Sequence, residues 1–66
     1  MEIGKNIREY RKEQSLTQEQ LARLLNTTQD TISLWELGKS YPDIFNLIKL
    51  ARLFNISIDE LIGMDK

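Results

Sequence analysis

The sequence predicts an all-α domain, a compact bundle of five short helices spanning residues 1–66 as one domain. Three observations predict it. Apolar residues recur at helical spacing along the chain, residues suited to capping or closing helices separate these stretches, and no stretch alternates apolar and polar residues at period two.

The first helix is expected from about Ile3 to Glu13, with Ile3, Ile7 and Tyr10 along one face at i, i+4 and i+7. Lys5, Arg8, Glu9 and Lys12 fall mostly off that face. The second helix starts after Thr17, a good N-cap, with Gln20 three residues on as a capping box requires. Leu16 and Leu21 are placed to staple its entry. It ends near Leu25, and Asn26 accepts the left-handed conformation that closes a helix.

Thr28 caps a third helix with Ile32 and Trp35 facing inward and Gly38 ending it. Residues Lys39 to Pro42 form a loop. Asp43 caps the fourth helix, whose inner face repeats as Leu47, Leu50, Ala51 and Phe54, and Asn55 closes it. The fifth helix opens on a second capping box, Ser57 with Glu60, stapled by Ile56 and Leu61. The expected core is Ile7, Leu21, Ala22, Leu25, Ile32, Trp35, Leu47, Leu50, Ala51 and Phe54.

Composition narrows the function. The chain has no Cys, so it holds no disulfide and no thiolate site, which suits a reducing cytoplasm. It has no His, the commonest general base and metal ligand. No metal, cofactor or small-molecule ligand is therefore expected, and no enzyme chemistry. The apolar runs are too short to span a bilayer and none reads as a signal peptide, so a cytoplasmic protein is expected. Nine Lys and Arg against ten Asp and Glu give a net charge of −1, unlike a strongly basic nucleic-acid binder.

Residues 18–37 carry the functional signal. Two helices joined by a turn of about three residues, Asn26 to Thr28, must cross steeply, as in a helix-turn-helix. A small residue is needed where their backbones approach, and Ala22 supplies it among leucines. With Ile32 and Trp35 facing inward, Gln29, Asp30, Ser33 and Leu34 face outward.

The segments LTQEQLARLLNTTQDTISLWELGK, IREYRKEQSLTQ and YPDIFNLIKLARLFNISIDELI together resemble the Cro/phage-repressor type of helix-turn-helix domain, the Xre family, over nearly the whole chain. The resemblance implies a lambda-repressor-like fold that binds double-stranded DNA with its third helix in the major groove. It implies base reading by Gln29, Asp30, Ser33 and Leu34, and backbone contacts by Thr17, Gln18, Thr28, Lys39 and Ser40. A Gln is suited to adenine, because its amide both donates and accepts. It further implies an ion pair, Arg11 with Glu36, holding the first helix to the third.

Leu34 stands where the family often has a polar or basic residue. It suits a thymine methyl or a neighbouring protein surface. Asp30 has three readings: acceptance from cytosine N4, repulsion of phosphate, or a favourable place at a helix N-terminus. Ile58, Ile62 and Met64 either finish the core or form a homodimer contact. If Arg11 neutralises Glu36, the charges left between residues 14 and 42 balance, with Glu19 and Asp30 against Arg23 and Lys39. Polar side chains must then supply much of the phosphate contact. The expected function is a sequence-specific DNA-binding regulator, a repressor acting as a homodimer on a two-fold operator. The competing reading is an antitoxin-like or adaptor module that uses the same fold to bind protein.

Overall fold

The computed structural model describes residues 2–64. Five helices follow in order: α1 (Ile3–Glu13), α2 (Gln18–Leu24), α3 (Gln29–Glu36), α4 (Ile44–Phe54) and α5 (Ile58–Ile62), with no strand among the described residues.

Local chemistry sets each boundary. The Thr17 hydroxyl accepts from the Gln20 N–H at 3.0 Å, and the Gln20 carbonyl oxygen Oε1 accepts from the Thr17 N–H at 2.9 Å. Ser57 and Glu60 form the same reciprocal pair at 3.0 Å each. Thr28 and Asp43 accept from the N–H groups of Thr31 and Asn46, three residues ahead. These side chains satisfy N–H groups that a helix start cannot. Asn26 and Asn55 both adopt φ 58°. After Asn55 the Ile56 N–H donates back to the Ala51 carbonyl at 2.9 Å, so the end of α4 is closed. Ser15, between α1 and α2, is also left-handed at φ 58°. Its sequence context carries no turn signal as strong as Asn or Gly.

One core joins all five helices. Ile7, Leu21, Ile32, Leu50 and Leu61 are wholly enclosed, and Ala22, Leu25, Trp35, Ala51, Phe54 and Ile3 complete the cluster. Leu47 is half-buried and packs on the edge of this cluster rather than inside it. The Tyr10 and Phe54 rings stack at 5.7 Å, which fixes α1 against α4. Asn6 donates to the Leu61 carbonyl at 3.0 Å and ties α1 to α5.

The approach of α1 to α3 depends on Gly4. A Cβ at this position would run into the carbonyl oxygens of Trp35 and Glu36. The start of α1 thus rests on the last turn of α3, and this contact helps to set the angle of α3.

Candidate nucleic-acid interface

The second and third helices meet at Ala22, which is buried. The Thr27 N–H donates to the Ala22 carbonyl at 2.9 Å and the Asn26 N–H to that of Arg23 at 3.1 Å, so the chain reverses tightly into α3. Ile32 and Trp35 fill the inner side of α3. That leaves Gln29, Asp30 and Leu34 exposed on its outer side. Ser33 is half-buried, because it lines a cleft of about 290 Å³ with Arg8, Arg11, Gln18, Glu36 and Leu37.

Arg11 and Glu36 close the floor of this cleft. Arg11 Nε donates to Glu36 Oε2 at 2.7 Å and Nη2 to Oε1 at 3.1 Å. Nη1 donates to the Leu16 carbonyl at 2.8 Å, so the guanidinium is bonded on all sides. The two side chains are only 10% and 5% exposed, which makes this a buried, two-pronged pair rather than a surface one.

Gln18 extends the pair toward the surface. Its Nε2 donates to Glu36 Oε1 at 3.1 Å. Its Oε1 accepts from Gln29 Nε2 at 3.4 Å, close to the limit for such a bond. A continuous polar chain therefore runs from α1 through the end of α3 and the start of α2 to the first residue of α3. Neither the Gln18–Glu36 bond nor the cleft was legible in the sequence. Gln18 and Glu36 are 18 residues apart, and no local pattern couples them.

The other anticipated contact residues are arranged around this chain. Thr17 and Thr28 are exposed at the starts of α2 and α3, their hydroxyls engaged as caps. Lys39 is exposed beyond α3, and its N–H donates to the Leu34 carbonyl at 3.0 Å. Ser40 is half-buried, with its N–H 3.4 Å from the same carbonyl. Thr17, Gln18, Thr28 and Gln29 cluster at two adjoining helix starts, whereas Lys39 and Ser40 follow the far end of α3. Ile58 and Ile62 lie apart on α5, half-buried against the core, and Met64 beyond it is 62% exposed.

Arg8 is a cation at this cleft for which the sequence suggested no role. It is exposed at the cleft and forms no ion pair among the described residues. The one signal for it was its place three residues before Arg11, on the same side of α1. Arg23 is already shared with Glu19 at 3.7 Å on the surface.

A helix-turn-helix family model matches residues 7–61. The chain belongs to this family. Its type is that of Cro and the phage repressors, and the family is one of transcriptional regulators rather than a class of enzymes. The P22 c2 repressor, solved in complex with a synthetic operator, matches with a TM-score of 0.89, at 29% identity over 98% of each chain. The transcriptional activator BcrR of Enterococcus faecalis is 40% identical over 63 residues, 96% of this chain and 31% of BcrR. The antitoxin PezA of Streptococcus pneumoniae is 34% identical over 64 residues, 97% of this chain and 40% of PezA. The chain thus spans less than half the length of these two curated relatives. No helix among the described residues is long and apolar enough to cross a membrane.

Proposed function

We propose that this helix-turn-helix domain binds double-stranded DNA in the cytoplasm as a sequence-specific repressor. In this reading α3 enters the major groove, and two copies occupy a two-fold operator. The observation that carries the proposal is the bonded chain Arg11–Glu36–Gln18–Gln29. It ends on an exposed amide at the start of the outward helix, where a base-reading group must be held in one orientation. The likeness to a repressor solved on its operator supports the same reading.

Each contact then has a chemical role. With one N–H of Gln29 Nε2 directed to Gln18, its other N–H and its Oε1 remain for an adenine edge, where N7 accepts and N6 donates. Asp30 and Leu34 lie on the same exposed side and meet neighbouring bases, Leu34 through an apolar contact such as a thymine methyl. Ser33 sits deeper and reaches a base only at the cleft's edge. Thr17, Gln18, Thr28, Lys39 and Ser40 flank α3 and meet the two phosphate backbones. Selection of duplexes from a random library, followed by titration of the winners, tests the reading. Failure to enrich any sequence counts against it.

A second reading has its own support. The likeness to the antitoxin PezA, the exposed apolar Leu34 and the net charge of −1 favour a module that binds protein. Absence of DNA binding in the same titrations favours this alternative.

A further inference from the structure

The outer side of α3 carries two exposed side chains that the fold itself does not use. Thr28 and Thr31 bond to one another through their hydroxyls at 2.9 Å, and Gln29 bonds to Gln18. The Asp30 carboxylate, by contrast, accepts no hydrogen bond and forms no ion pair among the described residues. Leu34 is 42% exposed, an apolar side chain on an otherwise polar side. Its backbone is fixed, because its carbonyl accepts from the Lys39 N–H at 3.0 Å. One turn of helix separates the two residues, so they share a side of α3 and stand about 6 Å apart along it. That is less than two base-pair steps of about 3.4 Å, so both side chains reach the same pyrimidine or adjacent ones.

A carboxylate at a base edge needs a donor. In the major groove only cytosine N4 and adenine N6 supply one, and the acceptors guanine O6 and thymine O4 repel it. Adenine sets a further acceptor, N7, beside its amine, whereas cytosine sets only C5 there. Asp30 therefore fits cytosine best. Leu34 fits the apolar group that the groove offers, a methyl on pyrimidine C5. C5 is bonded to C4, the carbon that bears the cytosine amine, and the amine hydrogen left free by base pairing points to the C5 side. The groups that suit Asp30 and Leu34 are thus neighbours on one ring edge. No unmodified base carries both: thymine sets its methyl beside O4, and cytosine sets its amine beside a C5 hydrogen. Cytosine next to thymine supplies them on two bases, and 5-methylcytosine supplies them on one.

We infer that Asp30 and Leu34 together read a cytosine amine next to a pyrimidine 5-methyl group, and that the methyl of 5-methylcytosine can replace that of thymine. Binding by this chain then responds to cytosine methylation at C5. The inference rests on the reading of α3 as the helix in the major groove and adds the chemistry that two of its residues select. Asp30 also excludes. Thymine at its base leaves the carboxylate unpaired against O4, so a wrong base is penalised as well as a right one favoured.

Titration of the parent, Asp30→Asn and Leu34→Ala against a duplex selected from a random library tests this, with further changes made in the DNA alone. Selection should enrich cytosine next to thymine. Deoxyuridine in place of that thymine should lower parent affinity about fourfold, the worth of one buried methyl group. Adding 5-methylcytosine at the neighbouring cytosine should then restore it. Leu34→Ala should respond to neither change. T·A in place of C·G at the base read by Asp30 should weaken the parent about tenfold to a hundredfold, and Asp30→Asn by much less. Melting curves report whether the two variants, both changed at exposed positions, remain folded. A parent that selects a duplex yet ignores both 5-methyl changes overturns the inference and leaves base reading by α3 standing. Tighter binding of Asp30→Asn to every duplex also overturns it, by setting the carboxylate against phosphate. A parent that selects no sequence overturns the inference and the reading on which it rests.

Discussion

Gln18 donates from Nε2 to Glu36 Oε1 at 3.1 Å, so the first residue of α2 is bonded to the last residue of α3. This bond fixes which way the Gln18 amide faces, and its oxygen is then the atom presented to Gln29. Gln18→Ala should remove both bonds. The expected loss of stability is about 0.5–1.5 kcal/mol, that of a typical net hydrogen bond, seen as a lower melting temperature. On DNA, the variant should lose discrimination at the base read by Gln29 as well as affinity. Loss of affinity with discrimination intact would assign Gln18 to the phosphate alone.

Arg11 holds the carboxylate that Gln18 reaches. Arg11→Met would leave the Glu36 side chain, 5% exposed, with only the Gln18 donor of its present side-chain partners. An uncompensated buried charge of this kind costs about 3–5 kcal/mol. Glu36→Gln in the same background should recover part of that loss, because it removes the stranded charge. Denaturant titrations of the two single variants and the double variant measure the coupling, and independent effects of the two changes would contradict a structural pair.

Gly4 offers a test of how α1 sets the angle of α3. In an exposed helix position Gly→Ala gains about 1 kcal/mol. Here the added methyl meets the carbonyl oxygens of Trp35 and Glu36, which cannot swing aside as a flexible side chain would. Gly4→Ala should therefore destabilise, by roughly 1–3 kcal/mol as overpacking does. A raised melting temperature would show that α1 and α3 are less tightly docked.

Most of the fold was legible because its signals are local. Thr17 with Gln20, Ser57 with Glu60, and the closures at Asn26 and Asn55 lie within a few residues of what they stabilise. Periodicity likewise found the inner faces of α3 and α4. It placed Leu47 too deep, because position on a helix face does not say how far the neighbouring helix extends over it. Gly4 was missed for the opposite reason, since only the packed neighbour makes a missing Cβ necessary. At the candidate interface the outward residues of α3 follow from the inward ones. The Gln18–Glu36 bond and the cleft at Arg8 arise from the tertiary arrangement, which no spacing rule encodes.

The near-neutral outer face bears on how binding depends on salt. Lys39 and Arg8 are its unpaired cations among the described residues near α3, so each should account for about one released counterion per subunit. Lys39→Ala should lower affinity for all duplexes about equally and reduce the salt slope by about one unit per subunit. A change confined to one base position would instead make Lys39 a reading residue.

The most direct test of base reading by α3 is the affinity of the parent and of Gln29→Ala for a selected duplex and its scrambled counterpart, measured by fluorescence anisotropy at two salt concentrations. The parent should favour the selected duplex by about 10³-fold or more, in the range of specific binders. Gln29→Ala should lose about 1–3 kcal/mol on the selected duplex, with preference relaxed at one base position and the salt slope unchanged. Equal affinity of the parent for the two duplexes would contradict a reading role for α3.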